Sequence, residues 1–184
     1  MAENLLYGAT YRIQNGFEGW KENYLDTRGK GCEDNLLCVS TSTDKNRASD
    51  SGTWIISSAT NPPKKKGEPV LSGDKVYLQN QYSSGSGGYL DVRGKGCEGN
   101  AYCVSTATSS NRASDSGTWR IIKEDSGGIV QVDDVVHLWS GWSEWSAGFL
   151  DTRGKGCEGN LYCVSICGTW NRVKGSTHWR FQKQ

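Results

Sequence analysis

The chain has 184 residues, 35% of them hydrophobic and 22% charged, and its 21 basic and 20 acidic side chains leave a formal net charge of +1. So even a balance offers no basic field to gather nucleic acid, and no apolar run approaches the roughly 18 residues that cross a bilayer, so neither nucleic acid nor membrane insertion is expected. Glycine (24) and tryptophan (8) outweigh a single Met, a composition that favours short strands and many turns over helices, and the length suits one domain.

In chain order, a first candidate strand surrounds Ile13, "YLDTR" (24–28) makes a second, a third holds Val39 and a fourth begins at Trp54. The order then returns around Leu78, "YLDVR" (89–93), Val104 and Trp119, and again around Leu138, "FLDTR" (149–153), Val164 and Trp179. Alternation turns Leu25, Leu90 and Leu150 inward and the neighbouring Asp26, Asp91 and Asp151 outward. A hairpin rich in Gly and Asn separates the second and third strands of each set. Linkers fall near 57–74 and 123–133, and the basic run Lys64 to Lys66 in the first reads as a solvated loop.

The recurrence is an internal repeat. "YLDTRGKGCEDNLLCVSTSTDKNRASDSGTW", "YLDVRGKGCEGNAYCVSTATSSNRASDSGTW" and "FLDTRGKGCEGNLYCVSICGTWNRVKGSTHW" align without a gap at offsets of 65 and 60 residues. The match extends backwards through "YRIQNGFEGWKEN", "VYLQNQYSSGSGG" and "VHLWSGWSEWSAG". About 50 to 60 residues are too few for a four-stranded unit to stand alone, so three copies (8–59, 74–124, 133–184) are expected to close on one shared core. That is an all-β, β-trefoil fold of three pseudo-symmetric four-stranded repeats.

On its residues the sequence resembles the ricin-type (R-type) lectin domains, through "YLDVRG", the "GNAY" that follows and a closing Trp. The resemblance implies a carbohydrate-binding lectin in which the Asp of "LDV" takes sugar hydroxyls, here Asp26, Asp91 and Asp151. The rest of the R-type site departs: Ser105 stands where that family has a stacking aromatic, and Gly117 where it has the Gln of its closing Q-x-W, with Ser40 and Gly52 in the first copy. A divergent branch is implied, with galactose- or GalNAc-type glycans as the expected ligands.

The polar positions identical in all three copies are Asp26/Asp91/Asp151, Arg28/Arg93/Arg153, Lys30/Lys95/Lys155, Glu33/Glu98/Glu158, Asn35/Asn100/Asn160, Asn46/Asn111/Asn171 and Arg47/Arg112/Arg172. Neither a core nor a turn requires exposed charges. A local Asp26–Arg28 ion pair worth under about 1 kcal/mol and an Asn46 turn cap are the purely structural account. The functional account is three equivalent sugar pockets, since carboxylates and amides exchange hydrogen bonds with vicinal hydroxyls while a ring covers the apolar pyranose face. These are Asp26, Asn35 and Arg47 with Trp20; Asp91, Asn100 and Arg112 with Tyr82; and Asp151, Asn160 and Arg172 with Trp145. The repeated Arg28 and Lys30 leave room for sulfated or sialylated glycans.

Trp139, Trp142 and Trp145 imitate a thrombospondin ladder, but no interleaving arginine strand or "CSxTCG" pattern accompanies them. Trp139 is expected to face out beside inward Leu138. His137 and His178 align with Arg12/Tyr77 and Thr53/Thr118; they read as isolated side chains, so no enzyme, metal or cofactor is expected. Cys32/Cys38, Cys97/Cys103 and Cys157/Cys163 repeat a C-x5-C pair and leave Cys167 over. Disulfides worth about 2 to 3 kcal/mol each, free thiols and a metal pair all remain open. Secretion or extracellular action follows if the pairs are oxidised; "MAENLLYGATYRI" has no secretory-signal pattern, which leaves the cytosol open. The expected partners are glycans on glycoproteins or glycolipids, and a homodimer fits the odd Cys167. The rival functions are a protein-binding trefoil such as a protease inhibitor acting through the 61–70 loop, and a toxin-targeting or cytoskeletal trefoil.

Overall fold

The computed structural model describes residues 2–21, 23–29, 35–94, 100–125, 127–154 and 161–184. Twelve strands run β1 (Thr10–Asn15), β2 (Tyr24–Arg28), β3 (Leu37–Ser42), β4 (Thr53–Ser58), β5 (Lys75–Asn80), β6 (Tyr89–Arg93), β7 (Tyr102–Ala107), β8 (Trp119–Lys123), β9 (Val136–Ser140), β10 (Phe149–Arg153), β11 (Tyr162–Cys167) and β12 (Trp179–Lys183). All pairings are antiparallel. The ring β1–β4–β5–β8–β9–β12 closes back on β1, which removes the open edges that an antiparallel sheet would otherwise expose. The hairpins β2–β3, β6–β7 and β10–β11 cap it, and their second strands pair with one another around a triangle, β3–β7, β7–β11 and β11–β3.

The core is built from the repeated apolar positions. Trp54, Trp119 and Trp179 are fully buried with Ile13, Leu78 and Leu138 and with Leu25, Leu90 and Leu150. Each indole Nε1 donates to the carbonyl of Leu25, Leu90 or Leu150 at 3.0, 3.0 and 2.9 Å, so the largest core side chain also meets its polar obligation. The two linkers and the segment before the first copy take part as well. Leu5, Val70 and Val130 are fully buried, and their amides donate in a circle, Leu5 to Val130, Val70 to Leu5 and Val130 to Val70, at 2.8, 2.8 and 2.9 Å. The 61–70 segment is therefore pinned over its second half, where Tyr7 N–H also donates to Glu68 and Gly67 N–H to Tyr7.

One expectation is corrected. Asp26, Asp91 and Asp151 do not face solvent: each is 0% exposed, like the leucine beside it. The face opposite the core is covered by the loop that follows β3, β7 or β11, which brings Arg47 and Ser51, Arg112 and Ser116, or Arg172 against the carboxylate.

Candidate functional site

Each buried carboxylate is held by an arginine. Arg47 Nη2 donates to Asp26 Oδ1 at 3.0 Å and to the Thr27 carbonyl at 2.7 Å. Arg112 donates through Nε and Nη2 to Asp91 Oδ1, both at 3.2 Å, and to the Val92 carbonyl. Arg172 Nε donates to Asp151 Oδ2 at 2.8 Å and Nη2 to the Thr152 carbonyl at 2.8 Å. Ser51 and Ser116 hydroxyls donate to the first two at 3.2 and 2.7 Å, whereas Asp151 Oδ1 and Ser176 Oγ have no hydrogen-bond partner among the described residues. Burial pushes the Asp26 carboxyl above the usual carboxylate range, and Arg47 and Ser51 pull it part of the way back.

The asparagines join these networks one copy out of step. Asn35 Nδ2 donates to Ser105 Oγ at 2.7 Å and to Asp91 Oδ1 at 3.4 Å, and Arg93 donates to its carbonyl oxygen. Asn100 does the same with Ser165, Asp151 and Arg153. The grouping of Asp26 with Asn35, and of Asp91 with Asn100, is thus corrected. Pairing of Leu37 with Thr106 and of Cys38 with Ser105 carries Asn35, two residues before β3, into the next copy. Asn160 lies outside the described residues, as do Lys30, Lys95, Lys155, Glu33, Glu98, Glu158, Cys32, Cys97 and Cys157. Buried Ser105 and Ser165 accept from an amide where R-type lectins stack a ring. Gly52 and Gly117 lie so close to the Lys45 and Ser110 carbonyls that a Cβ would sit 2.7 and 2.1 Å from oxygen, which excludes the Gln of Q-x-W.

With the aspartates shut in, the arginines are what a ligand reaches: Arg47, Arg112 and Arg172 are 26%, 31% and 22% exposed. Two shallow cavities lie against them. One of 250 Å³ is lined by Arg28, Gly29, Leu37, Arg47 and Tyr82. The other, 320 Å³, is lined by Phe17, Arg153, Gly154, Tyr162 and Arg172. These are the same aligned positions, each cavity taking its ring from the following copy. In the second copy Arg112 has Tyr102 and Trp142 in the matching positions, their rings 6.5 Å apart; Phe17 and Tyr162 meet edge to face at 5.2 Å. Gly29, Gly94 and Gly154 turn the backbone away at φ of 74°, 70° and 78°, a conformation that glycine takes without steric cost.

A tight left-handed turn delivers each ring. Glu18, Ser83, Ser84, Ser143 and Glu144 all have φ between 49° and 62°. The turns are anchored by buried Asn15, Asn80 and Ser140, which accept from the amides of Phe17, Tyr82 and Trp142 at 3.0, 3.0 and 3.2 Å. Tyr82 therefore serves the Arg47 pocket of the copy before it, not that of Arg112. Phe17 was missed by the sequence reading. Its signal was there, since 17, 82 and 142 are aromatic in all three copies.

Trp20 and Trp145 close the same turns but do not line either cavity. Arg180 lies over Trp20 at 4.6 Å and Arg120 over Trp145 at 4.1 Å, so a cation–π partner already covers a face of each expected sugar platform. Trp139 stands beside inward Leu138, half-buried, with Trp145 at 5.5 Å and Phe149 at 5.9 Å. The ring cluster continues from Phe149 to Trp170 at 5.0 Å and from Trp170 to His137 at 3.9 Å. His137 and His178, read as isolated, are neighbours 5.1 Å apart, and both turn Nε2 toward Glu124. Burial lowers the His137 pKa, and Glu124 opposes that shift.

No known family model and no curated protein matches this sequence. Solved structures do match. A Caenorhabditis elegans protein of unknown function aligns at TM-score 0.78 and 16% identity, over 98% of this chain and 97% of that one. The SDF2-like protein of Arabidopsis thaliana aligns at 0.74 and 17%, over 97% and 94%. The fold is of the β-trefoil type. The receptor-binding domain of botulinum neurotoxin D shares it at TM-score 0.67 and 16% identity, over 100% of this chain and 44% of that one. At such identities the likeness is one of β-trefoil fold, not of site chemistry.

Proposed function

We propose that this chain is a non-enzymatic carbohydrate-binding β-trefoil: one domain of three four-stranded units, 8–59, 74–124 and 133–184, with a glycan pocket at each seam between units. The observation that carries the reading is the recurrence of one shallow pocket, an arginine fixed by a buried aspartate beside a ring from the next unit. A guanidinium held in place presents donors to hydroxyl or acidic oxygens without first losing side-chain freedom. Tyr82 in the first pocket, Phe17 with Tyr162 in the third and Trp142 with Tyr102 in the second supply the apolar surface for a pyranose face. Asp26, Asp91 and Asp151 act through their arginines as positioning residues. Galactose- or GalNAc-type glycans, including acidic forms, are the ligands this donor-rich chemistry favours. Three weak sites on one rigid body add avidity on a clustered glycan surface.

The proposal extends to the hairpins. Cys38, Cys103 and Cys163 are bonded rather than free while Cys167 is a free, buried thiol, which supports Cys32–Cys38, Cys97–Cys103 and Cys157–Cys163 bridges and an extracellular site of action. A glycan array tests the reading. Wild type should bind a galactose-containing or acidic set, and the triple change Arg47→Gln, Arg112→Gln and Arg172→Gln should lose that set. Because three buried aspartates lose their guanidinium, the variant should unfold at a lower temperature, and its binding is read well below that temperature on protein shown to be folded by circular dichroism. Unchanged binding by the folded triple variant sinks the pocket assignment; the absence of any glycan binding by wild type turns the case toward a protein-binding trefoil.

A further inference from the structure

We propose that Glu124, His137 and His178 form a binding site for a divalent transition-metal ion, with zinc the best-matched probe. The site is independent of the glycan pockets. Its three donor atoms, two imidazole nitrogens and a carboxylate oxygen, lie within 4.8 Å of one another. They come from three chain segments: Glu124 just after β8, His137 within β9 and His178 just before β12. His137 Nε2 contacts Glu124 Oε2, and His178 Nε2 is 3.9 Å from Oε1.

Hydrogen bonding alone leaves this cluster incomplete. His137 takes one carboxylate oxygen, and His178 Nε2, at 3.9 Å from the other, is beyond hydrogen-bond reach and stays buried with no hydrogen-bond partner among the described residues. A divalent cation takes a lone pair from both imidazoles and neutralises the carboxylate at once. Two neutral imidazoles and one carboxylate are a familiar zinc donor set, leaving a fourth position for water. Glu124 is 35% exposed, which gives the ion a way in, while Trp170 packs against the His137 ring at 3.9 Å and restricts its rotation.

The repeat supplies an internal control. The matching positions one copy on are Gln184, Arg12 and Thr53, and there Gln184 Nε2 donates directly to Thr53 Oγ1 at 2.7 Å, with Arg12 paired to Thr53 across β1 and β4. The fold thus brings these positions together wherever they occur. At the remaining corner they are Ala59, Tyr77 and Thr118. Ligand-forming side chains stand at one corner, and there all three positions hold them.

The test is equilibrium dialysis of the full, chelator-treated chain against zinc chloride, with metal analysis and thermal unfolding in parallel. The expected result is about one zinc per chain and a raised Tm. Glu124→Gln and His178→Ala, both at partly exposed side chains, should each weaken binding by more than about tenfold, the loss that even an outer-shell change commonly brings, and should abolish the Tm rise. Cys167→Ser should leave both intact, and cobalt(II) should give the visible bands of a low-symmetry nitrogen–oxygen site only with Glu124 and His178 present. Zinc uptake that survives in Glu124→Gln and His178→Ala, or is lost in Cys167→Ser, overturns the assignment, as does a wild-type chain that takes up none.

Discussion

The hairpin cap and the barrel corners obey the same pseudo-symmetry and use it in opposite ways. In the cap, Asp26–Arg47, Asp91–Arg112 and Asp151–Arg172 are one arrangement made three times. At the corners, Ala59/Tyr77/Thr118, Glu124/His137/His178 and Gln184/Arg12/Thr53 share positions but, apart from a threonine common to two of them, no chemistry. The difference follows from what each side chain must satisfy. A cap asparagine such as Asn35 or Asn100 bonds serine, aspartate and arginine of the next copy, so a change in one leaves buried polar groups unpaired in another. The corners are held by backbone pairing, and their side chains can differ without loosening the barrel.

Substitutions in the core, the cap and the corners test this contrast. The largest effect is expected from Trp119→Ala, which removes a fully buried indole and its bond to Leu90 at a cost of about 3–5 kcal/mol. Trp54→Ala and Trp179→Ala should fall in the same range in denaturant unfolding; a copy that tolerates the loss would show that its core is not equivalent. Asp91→Ala comes next, at roughly 3 kcal/mol, because Arg112, Ser116 and Asn35 lose their common acceptor. Its partial rescue by adding Arg112→Met would separate loss of the pair from loss of packing.

The corners give a constructive test. Arg12→His, Thr53→His and Gln184→Glu together should raise bound zinc from about one to about two per chain if backbone position alone assembles the site. A smaller effect is expected in the cap from Leu37→Tyr, which gives the first pocket the ring that Tyr162 gives the third. Glycan affinity should tighten by about 0.5–1.5 kcal/mol, read by titration with a galactose-containing ligand. The smallest is a pH effect. Burial raises the folded pKa of the Asp26 carboxyl above the ordinary aspartate value of 3.8, so the folded state holds this proton more tightly than the unfolded chain. The stabilisation that this gives is complete below pH 3.8 and is lost as pH rises through the raised value. Asp26→Asn should flatten that component of the stability profile, seen as wild-type and variant curves that diverge across the window.

The second strands were legible to the residue: "YLDTR", "YLDVR" and "FLDTR" are β2, β6 and β10. Repetition made them so, because a pattern seen three times fixes its own boundaries. Inward Leu138 beside half-buried Trp139 also followed from alternation. What the sequence hid is the relation between copies. Alignment places Asn35 beside Asp26 on the page, and only the β3–β7 register shows that it belongs with Asp91. The outward turn assigned to the aspartates failed because alternation counts two faces, and it cannot know that Arg47 and Ser51, Arg112 and Ser116, or Arg172 close over the second. Trp20 and Trp145 were reasonable sugar platforms until Arg180 and Arg120, each from the strand of another copy, were found above them.

The left-handed turns carry one last consequence. Tyr82 serves Arg47, and Phe17 serves Arg172, so each copy lends its ring to a neighbour and borrows its own. A single copy cut out of the chain would own halves of two pockets and the whole of none. It would gain a complete site only by meeting its own kind head to tail, and three such pieces arranged in a circle would recover all of them.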